Sequence, residues 1–205
     1  MGIDLNKAGE QRDFTPIPTG SVVRGAVRIR AGGHGEGGWL SQAKTDKGTS
    51  LYLSVELTVT EGPHKGRKVF VNFTVEGEAA GHKEAREISF QTLRAFIESA
   101  KGIKASDKSD AAAKARNIES WGELNGTVVT VKVGVEAAKG DWPAKNTIQR
   151  VITPDEVQWA APSAEEIAAA AAAATVNAAD PATPATTTTA PTVAIASPIW
   201  AKSPS

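Results

Sequence analysis

Cysteine is absent from the 205 residues, and neither sign of charge is in excess, because 23 Lys and Arg balance 23 Asp and Glu. The lack of cysteine excludes a disulfide framework, a thiolate zinc site and a cysteine nucleophile. The charge balance excludes a strongly basic, tail-type polyanion binder. No apolar run approaches the roughly 18 large side chains of a membrane span, and the start lacks the basic and apolar regions of a secretory signal. We therefore expect a soluble, cytoplasmic protein.

Composition divides the chain into two unequal parts. Residues 160–205 are mostly Ala, Thr, Pro and Ser, and such a segment cannot bury an apolar core. We expect one globular domain over 1–159 and a disordered tail that is dispensable for ligand affinity. Within the tail, Ser163 and Glu166 have the spacing of a helical capping box. This spacing predicts a short helix over 164–174.

Alternating apolar and polar residues predict five strands, at 21–31, 51–60, 67–76, 127–136 and 147–153. Between the third and fourth strands, the apolar residues follow a helical period up to Gly102, and a weaker helical stretch covers 107–120. We therefore predict a mainly β protein with one or two helices. Five strands with a helix between the third and fourth have the layout of an OB-fold, a small Greek-key barrel. A five-stranded open sheet with helical cover would give the same pattern.

The sequence contains no convincing catalytic, cofactor or metal motif. Gly33–Gly38 satisfies the dinucleotide pattern GxGxxG, but no helix pattern follows it and the chain has no βαβ unit, so a flexible loop is predicted. The three histidines, His34, His64 and His82, lie in loops without the spacing of converging ligands. We predict no enzymatic activity, no cofactor and no metal.

The outward faces of the first three predicted strands combine cations and aromatic rings. These side chains are Arg24, Arg28, Arg30, Tyr52, Lys68 and Phe70. Single-stranded nucleic acid is bound by this mixture, because rings stack on unpaired bases and cations follow the phosphates. The alternative is that the rings lie under a helix or loop and the arginines pair with nearby acids.

Two tryptophans lie in the loops that close over ligand in OB-folds. Trp39 is between the first and second predicted strands, and Trp142 is between the fourth and fifth. Each tryptophan either contributes to the ligand site or anchors its loop against the sheet. We add both to the candidate nucleic-acid site.

Three segments, DLNKAGEQRDFTPIPTGSVV, VELTVTEGPHKGRKVFVNFTV and KNTIQRVIT, resemble a family of bacteriophage proteins that are encoded near recombination and replication genes. Its members are described mostly as domains of unknown function or as single-stranded DNA-binding proteins. The resemblance spans most of the predicted domain. Its most distinctive motifs are the Glu-Gly-Pro-x-x-Gly-Arg turn and the Lys-Asn-x-Ile start of the last strand. It implies an OB-like barrel that binds single-stranded DNA in the cytoplasm of an infected bacterial cell, with a phage recombinase or replication protein as partner. It assigns no functional residues, and it leaves open whether the protein is a homo-oligomer.

The leading hypothesis is therefore binding of single-stranded DNA without sequence preference, in phage DNA replication or recombination. Two alternatives come from other classes of protein. One is a phage protein-interaction or host-inhibitor module on the same sheet. The other is an accessory virion structural protein, for which the Ala/Thr/Pro tail is a surface extension.

Overall fold

A computed structural model describes residues 15–46 and 48–178, apart from the side chains of Thr45 and 176–178. Within these residues lie six strands and three α-helices. The strands are β1 (Val22–Ile29), β2 (Ser41–Thr45), β3 (Gly48–Val59), β4 (Lys68–Gly77), β5 (Val128–Glu136) and β6 (Lys145–Ile152), and the helices are α1 (His82–Lys101), α2 (Asp110–Arg116) and α3 (Ala164–Ala178). No helix in this part of the chain combines the length and the apolar character needed to cross a membrane.

The sheet is antiparallel and organised around β3. One edge of β3 pairs with β4 over nearly its whole length, and β1 and β2 therefore share the other edge. The C-terminal half of β3 pairs with β1, and its N-terminal half pairs with β2. The path continues from β1 to β5 and β6, so the order is β2-β3-β1-β5-β6 with β4 also on β3.

The prediction of five strands is wrong by one, because β2 was expected to be loop. Its sequence, Ser41 to Thr45, contains no large apolar residue, so an apolar alternation gives no signal there. The strand is held by its hydrogen-bonded ladder with the start of β3. Edge strands of this polar kind depend on their partner rather than on their own pattern.

The sheet does not close into a barrel, and the prediction of closure is also wrong. β4 and β6 lie in contact, but among the described residues no hydrogen-bonded ladder joins them. Instead α1 packs against β4, β5 and β6, and its Leu93, Phe96 and Ile97 are buried. The apolar surface that closure would cover is thus covered by the helix.

The predicted strand faces are confirmed by burial. The inward side chains of β3 (Leu53, Val55, Leu57 and Val59) are at most 1% exposed. On β4, Phe73 is buried and packs edge-on against Phe96 of α1, with ring centroids 5.5 Å apart. In β1, Gly25 is required by this packing, because a Cβ atom there would lie 2.5 Å from Cγ of Leu57.

The helices between β4 and β5 differ from the sequence prediction mainly at their ends. α1 begins at His82, directly after Gly81 in the left-handed conformation (φ 89°). Its first turns carry mostly polar side chains, and Ile88 is exposed, so the helical period is weak there. α2 is shorter than the predicted 107–120 and is capped by Ser109, whose hydroxyl accepts a hydrogen bond from the amide of Ala112 (3.2 Å).

α3 lies within the segment assigned to the tail, yet it packs on the sheet. Ala170 and Ala174 are buried, and the helix contacts β1 and β5. The predicted capping box is present, because Glu166 N donates to Ser163 Oγ and Ser163 N donates to Glu166 Oε2. The division into domain and tail stays a prediction, and the rest of the predicted tail, 179–205, lies outside the described residues.

Candidate nucleic-acid interface

The register of the sheet brings four of the predicted site residues together on its outward face. Arg28 lies opposite Glu56, and Glu56 lies opposite Phe70, so these three form one row across β1, β3 and β4. Arg30 and Lys68 flank this row along β1 and β4 respectively. We call these five residues the open face.

Arg30 and Phe70 are both exposed on the open face and lie in contact with each other. The guanidinium carbon of Arg30 lies 5.8 Å from the ring centroid of Phe70, and Phe70 is 51% exposed. Among the described residues no carboxylate lies within salt-bridge distance of Arg30. A cation–π contact at an exposed site contributes only about 0.5–1 kcal/mol. A base could therefore replace either partner of this contact at little cost.

Glu56 is the buried member of the open face and pairs with two of its cations. Its side chain is 8% exposed; Oε1 lies 2.8 Å from Lys68 Nζ and 3.9 Å from Arg28 Nη1. One carboxylate between two cations leaves an excess positive charge. In addition, the Nε of Arg28 is buried without a hydrogen-bond partner in the described part of the chain. Arg28 thus has a donor in need of an acceptor.

Glu56 was not among the residues that the sequence marked as candidates for the site. Its position could have been predicted from the sequence, because Glu56 points outward from β3 and both neighbouring strands carry outward cations. An acid at the centre of such a face is shared by both neighbours. It lowers the net charge of the face without removing it.

Arg24, the fourth predicted cation, lies in the same cleft as Arg28 but is paired with α3. Its Nη1 lies 2.7 Å from Glu166 Oε2, its Nη2 lies 3.5 Å from Glu61 Oε1, and its side chain is only 15% exposed. Partial burial raises the pKa of Glu166, but the Ser163 N–H and the Arg24 guanidinium outweigh it and hold this pKa below its ordinary value. The carboxylate is therefore charged at neutral pH. For Arg24, the structure has the pairing with acids that the sequence left as an alternative.

The predicted aromatic residues are dispersed. Tyr52 is half-buried and shares the outward face of β3, about 13 Å along the strand from Glu56. Trp39 packs against the core and against the backbone of Gly122, where a Cβ atom would lie 2.7 Å from its Cζ2. It therefore anchors its loop. Trp142 is 79% exposed at the tip of the β5–β6 hairpin, so its ring is available to a ligand.

The glycine-rich loop forms a closed turn rather than a phosphate cradle. Gly33 N donates to Gly38 O (2.9 Å), and His34 pairs with Leu40. No α-helix begins within Gly33–Leu40, so the loop offers no helix N-terminus to a phosphate. His82 Nδ1 accepts a hydrogen bond from Ala79 N (3.2 Å). Across the described ranges, no three His, Asp or Glu side chains converge in a metal-binding group.

In the motifs that carry the family resemblance, two side chains form hydrogen bonds within the fold. Asn146, from the Lys-Asn-x-Ile motif, is buried; it accepts from Ile17 N and donates to the carbonyls of Ile17 and Gly134. Arg67, from the turn motif, donates to the carbonyl of Thr15. Both motifs tie the segment before β1 to the sheet. They carry no information about a ligand.

Comparison with protein-family models gives no match for this chain, and neither does comparison with curated proteins or with solved structures. The resemblance to phage proteins therefore stays a prediction. The function has to be argued from the geometry of the open face.

Proposed function

We propose that the protein binds single-stranded DNA without sequence preference, through the open face. The observation that carries this proposal is the exposed Arg30–Phe70 pair without a carboxylate partner, next to two cations that share Glu56. Phe70 stacks on an unpaired base, and the guanidinium of Arg30 contacts the adjacent phosphate or stacks on the next base. A role in phage DNA replication or recombination rests on the resemblance alone.

The side chains of the open face favour a sequence-tolerant mode of binding. Stacking does not discriminate between bases, because every base has a π face. Arg28 and Lys68 are partly exposed, and their positive charges attract the phosphates of a strand of any sequence. Tyr52 extends the same face toward β2. No chemistry on the DNA is part of this proposal.

We propose further that the sheet is an open form of the OB strand order. Without β2, the path β4-β3-β1-β5-β6 places β3 and β4 where the second and third strands of that fold lie, with α1 between the third and fourth. OB-folds bind oligonucleotides on those two strands and through the loops before the second and after the fourth. The open face and Trp142 occupy corresponding positions.

The proposal is tested by fluorescence polarisation of a labelled oligo-dT at several salt concentrations. Arg30→Ala should weaken binding and reduce the slope of log affinity against log salt by about 0.7, because one phosphate contact is lost. Arg86→Ala is the matched control. Arg86 also lies over a phenylalanine ring, Phe90, at 4.8 Å, but it belongs to α1.

Arg86→Ala should leave both affinity and slope unchanged. Equal losses for Arg30→Ala and Arg86→Ala would place the bound strand away from the open face. Absence of saturable binding to oligo-dT both by the full chain and by a chain that ends at Ala161 would refute the function itself.

A protein-interaction module is the second candidate function, and one observation favours it. Ile88 is 57% exposed and Phe90 is 39% exposed on α1, and Phe90 packs edge-on against Trp121 beside a cleft of about 730 Å³. An exposed aromatic ring at the edge of a cleft is typical of interaction surfaces. A chain that does not bind oligo-dT would favour this second function.

A further inference from the structure

The side chain of Glu166 joins α3 to Arg24 of β1 and to Thr60, the residue after β3. Its Oε2 accepts from Arg24 Nη1 at 2.7 Å and from Ser163 N at 2.9 Å, and its Oε1 accepts from Thr60 Oγ1 at 3.1 Å. One carboxylate thus joins the start of α3 to β1 and to the end of β3. A carboxylate in this position makes the contacts that a phosphate oxygen would make with Arg24 and Thr60.

The remaining contacts between α3 and the sheet are made by small side chains. Ala170 and Ala174 are buried, whereas Ile167, the large apolar residue near the start of the helix, is 48% exposed. Gly126 allows the backbone of α3 to approach, because a Cβ atom there would lie 3.0 Å from Cα of Ala171. Alanine methyl groups bury little apolar area. The docking of α3 therefore depends strongly on the contacts of Glu166.

A cleft of about 960 Å³ separates α3 from the open face. Arg28, Glu56 and Lys68 line it from the sheet, and α3 contributes alanines together with Glu165 and Glu166. Neither alanine nor ionised glutamate can donate a side-chain hydrogen bond to a phosphate, and both glutamates repel it. The side chains that Ala164–Ala178 contribute to the cleft thus offer no hydrogen-bond donor to a bound strand.

We propose that α3 is a displaceable cover of the DNA-binding face, with Glu166 occupying Arg24 in place of a phosphate. This inference rests on the proposed function. A bound strand competes with Glu166 for Arg24, and displacement of α3 extends the cationic row of β1 from Arg30 to Arg24. Because the two equilibria are linked, DNA weakens the docking of α3 by the same factor by which α3 weakens DNA binding. Removal of α3 should then raise DNA affinity, whereas the sequence predicted that the tail is dispensable for it.

Chain truncation separates the effect of α3 from that of the residues beyond it. We would compare the full chain with one ending at Ala178 and one ending at Ala161, by polarisation of labelled oligo-dT over a series of salt concentrations. The chain ending at Ala178 retains the helix and should bind like the full chain. The chain ending at Ala161 should bind several-fold more tightly, with a salt slope steeper by about 0.7 because Arg24 is released.

Point variants test the same contact in a full chain, in case truncation destabilises the sheet. Glu166→Gln removes the charge that faces Arg24, and Glu165→Gln removes an equal charge from the adjacent position. Glu166→Gln should bind several-fold more tightly than the unmodified chain, and Glu165→Gln should bind almost as the unmodified chain does. Adding Arg24→Ala to Glu166→Gln should abolish the gain.

The outcomes distinguish the cover from the function on which it rests. Tighter binding after loss of α3 or of the Glu166 charge, including binding that appears only then, supports the cover. Suppose that the full chain binds oligo-dT and that neither the chain ending at Ala161 nor Glu166→Gln binds it more tightly. This result overturns the cover and leaves the proposed function standing. No binding by any of these chains refutes both.

Discussion

At the residue scale, the two phenylalanines of β4 lie on opposite faces of the sheet and have opposite roles. Phe70 is half-exposed on the open face, whereas Phe73 is 4% exposed against Phe96. Phe70→Ala should cost about 1–3 kcal/mol of DNA binding and little stability, because it leaves no cavity. Phe73→Ala should cost about 3–5 kcal/mol of unfolding free energy. Oligo-dT titration and urea unfolding of both variants measure the two effects.

The two substitutions control for each other, since each removes the same ring from the same strand. A large loss of stability in Phe70→Ala would contradict its placement on the surface. Unchanged oligo-dT affinity in a folded Phe70→Ala chain would remove stacking from the proposed mechanism.

For the residues of the site, the sequence could predict which face of the sheet they lie on, but not which residues they contact. Period two in β1, β3 and β4 placed Arg28, Arg30 and Phe70 outward, and burial of the alternate residues confirms that assignment. The sequence could not show that Arg24 pairs with Glu166, 142 positions away. Alternation within a strand carries no information about which distant segment covers it.

At the scale of elements, Glu98 joins α1 to α2. Its buried side chain lies 2.9 Å from Arg94 Nε and 2.7 Å from Arg116 Nε, both from the same oxygen, Oε1. Removing one partner from a buried ion pair leaves an uncompensated charge and costs about 3–5 kcal/mol. Glu98→Ala should therefore destabilise the chain by about that amount in urea unfolding.

The exposed residue Glu87 on the same helix provides the control for Glu98. Glu87→Ala should change the unfolding free energy by less than about 0.5 kcal/mol. Arg94→Ala should also cost less than Arg116→Ala, because the Arg94 side chain is 48% exposed and that of Arg116 is 13% exposed. Equal effects of Glu98→Ala and Glu87→Ala would contradict a stabilising role for the ion pairs.

The docking of α3 should depend on pH through Glu166. The pKa of Glu166 is lowered in the folded chain from an ordinary value of 4.5, so its contribution is fully present above about pH 4.5 and is lost as the pH falls through the lower folded pKa. The charged groups around it are Arg24, Glu61 and the neighbouring Glu165, with Lys65 across the cleft. Of these charged groups only Arg24 contacts the carboxylate directly, and with the Ser163 N–H it favours the ionised form of Glu166.

Amide chemical shifts of Ala170 and Ala174, followed by NMR against pH, measure this docking locally. They should be constant above about pH 4.5 and move together below it. In Glu166→Gln the same shifts should show no transition in that range. An identical transition in both chains would mean that another group controls the position of α3.

Elements were predictable where large apolar residues alternate or repeat, and unpredictable where small or polar residues are held by a partner. β3 and α1 belong to the first kind, whereas β2 and the docking of α3 belong to the second. β2 has only the alanine Ala43 as an apolar residue, and α3 docks through alanines. Neither pattern distinguishes a packed element from a solvated one.

At the scale of the whole molecule, the place of the long helix between the strands could be predicted but closure of the sheet could not. Element order placed a helix between β4 and β5, and it is α1 that covers the region between β4 and β6. Whether two strands pair depends on the backbone geometry at their edges, which period two does not encode. The open sheet with helical cover, which the sequence had left as an alternative, is the observed form.

The salt dependence of DNA binding should be determined by the cations of the open face, and not by the net charge of the whole chain. The chain has no formal net charge, so attraction to a polyanion must come from local cations. The open face offers Arg28, Arg30 and Lys68, so three phosphate contacts should give a slope of log affinity against log salt of about −2 for a single strand. Polarisation of oligo-dT across a salt series measures this slope. A slope steeper than about −4 would require more phosphate contacts than the open face contains, and the bound strand would then have to engage cations outside it, such as Lys132 and Arg150 of the neighbouring strands β5 and β6.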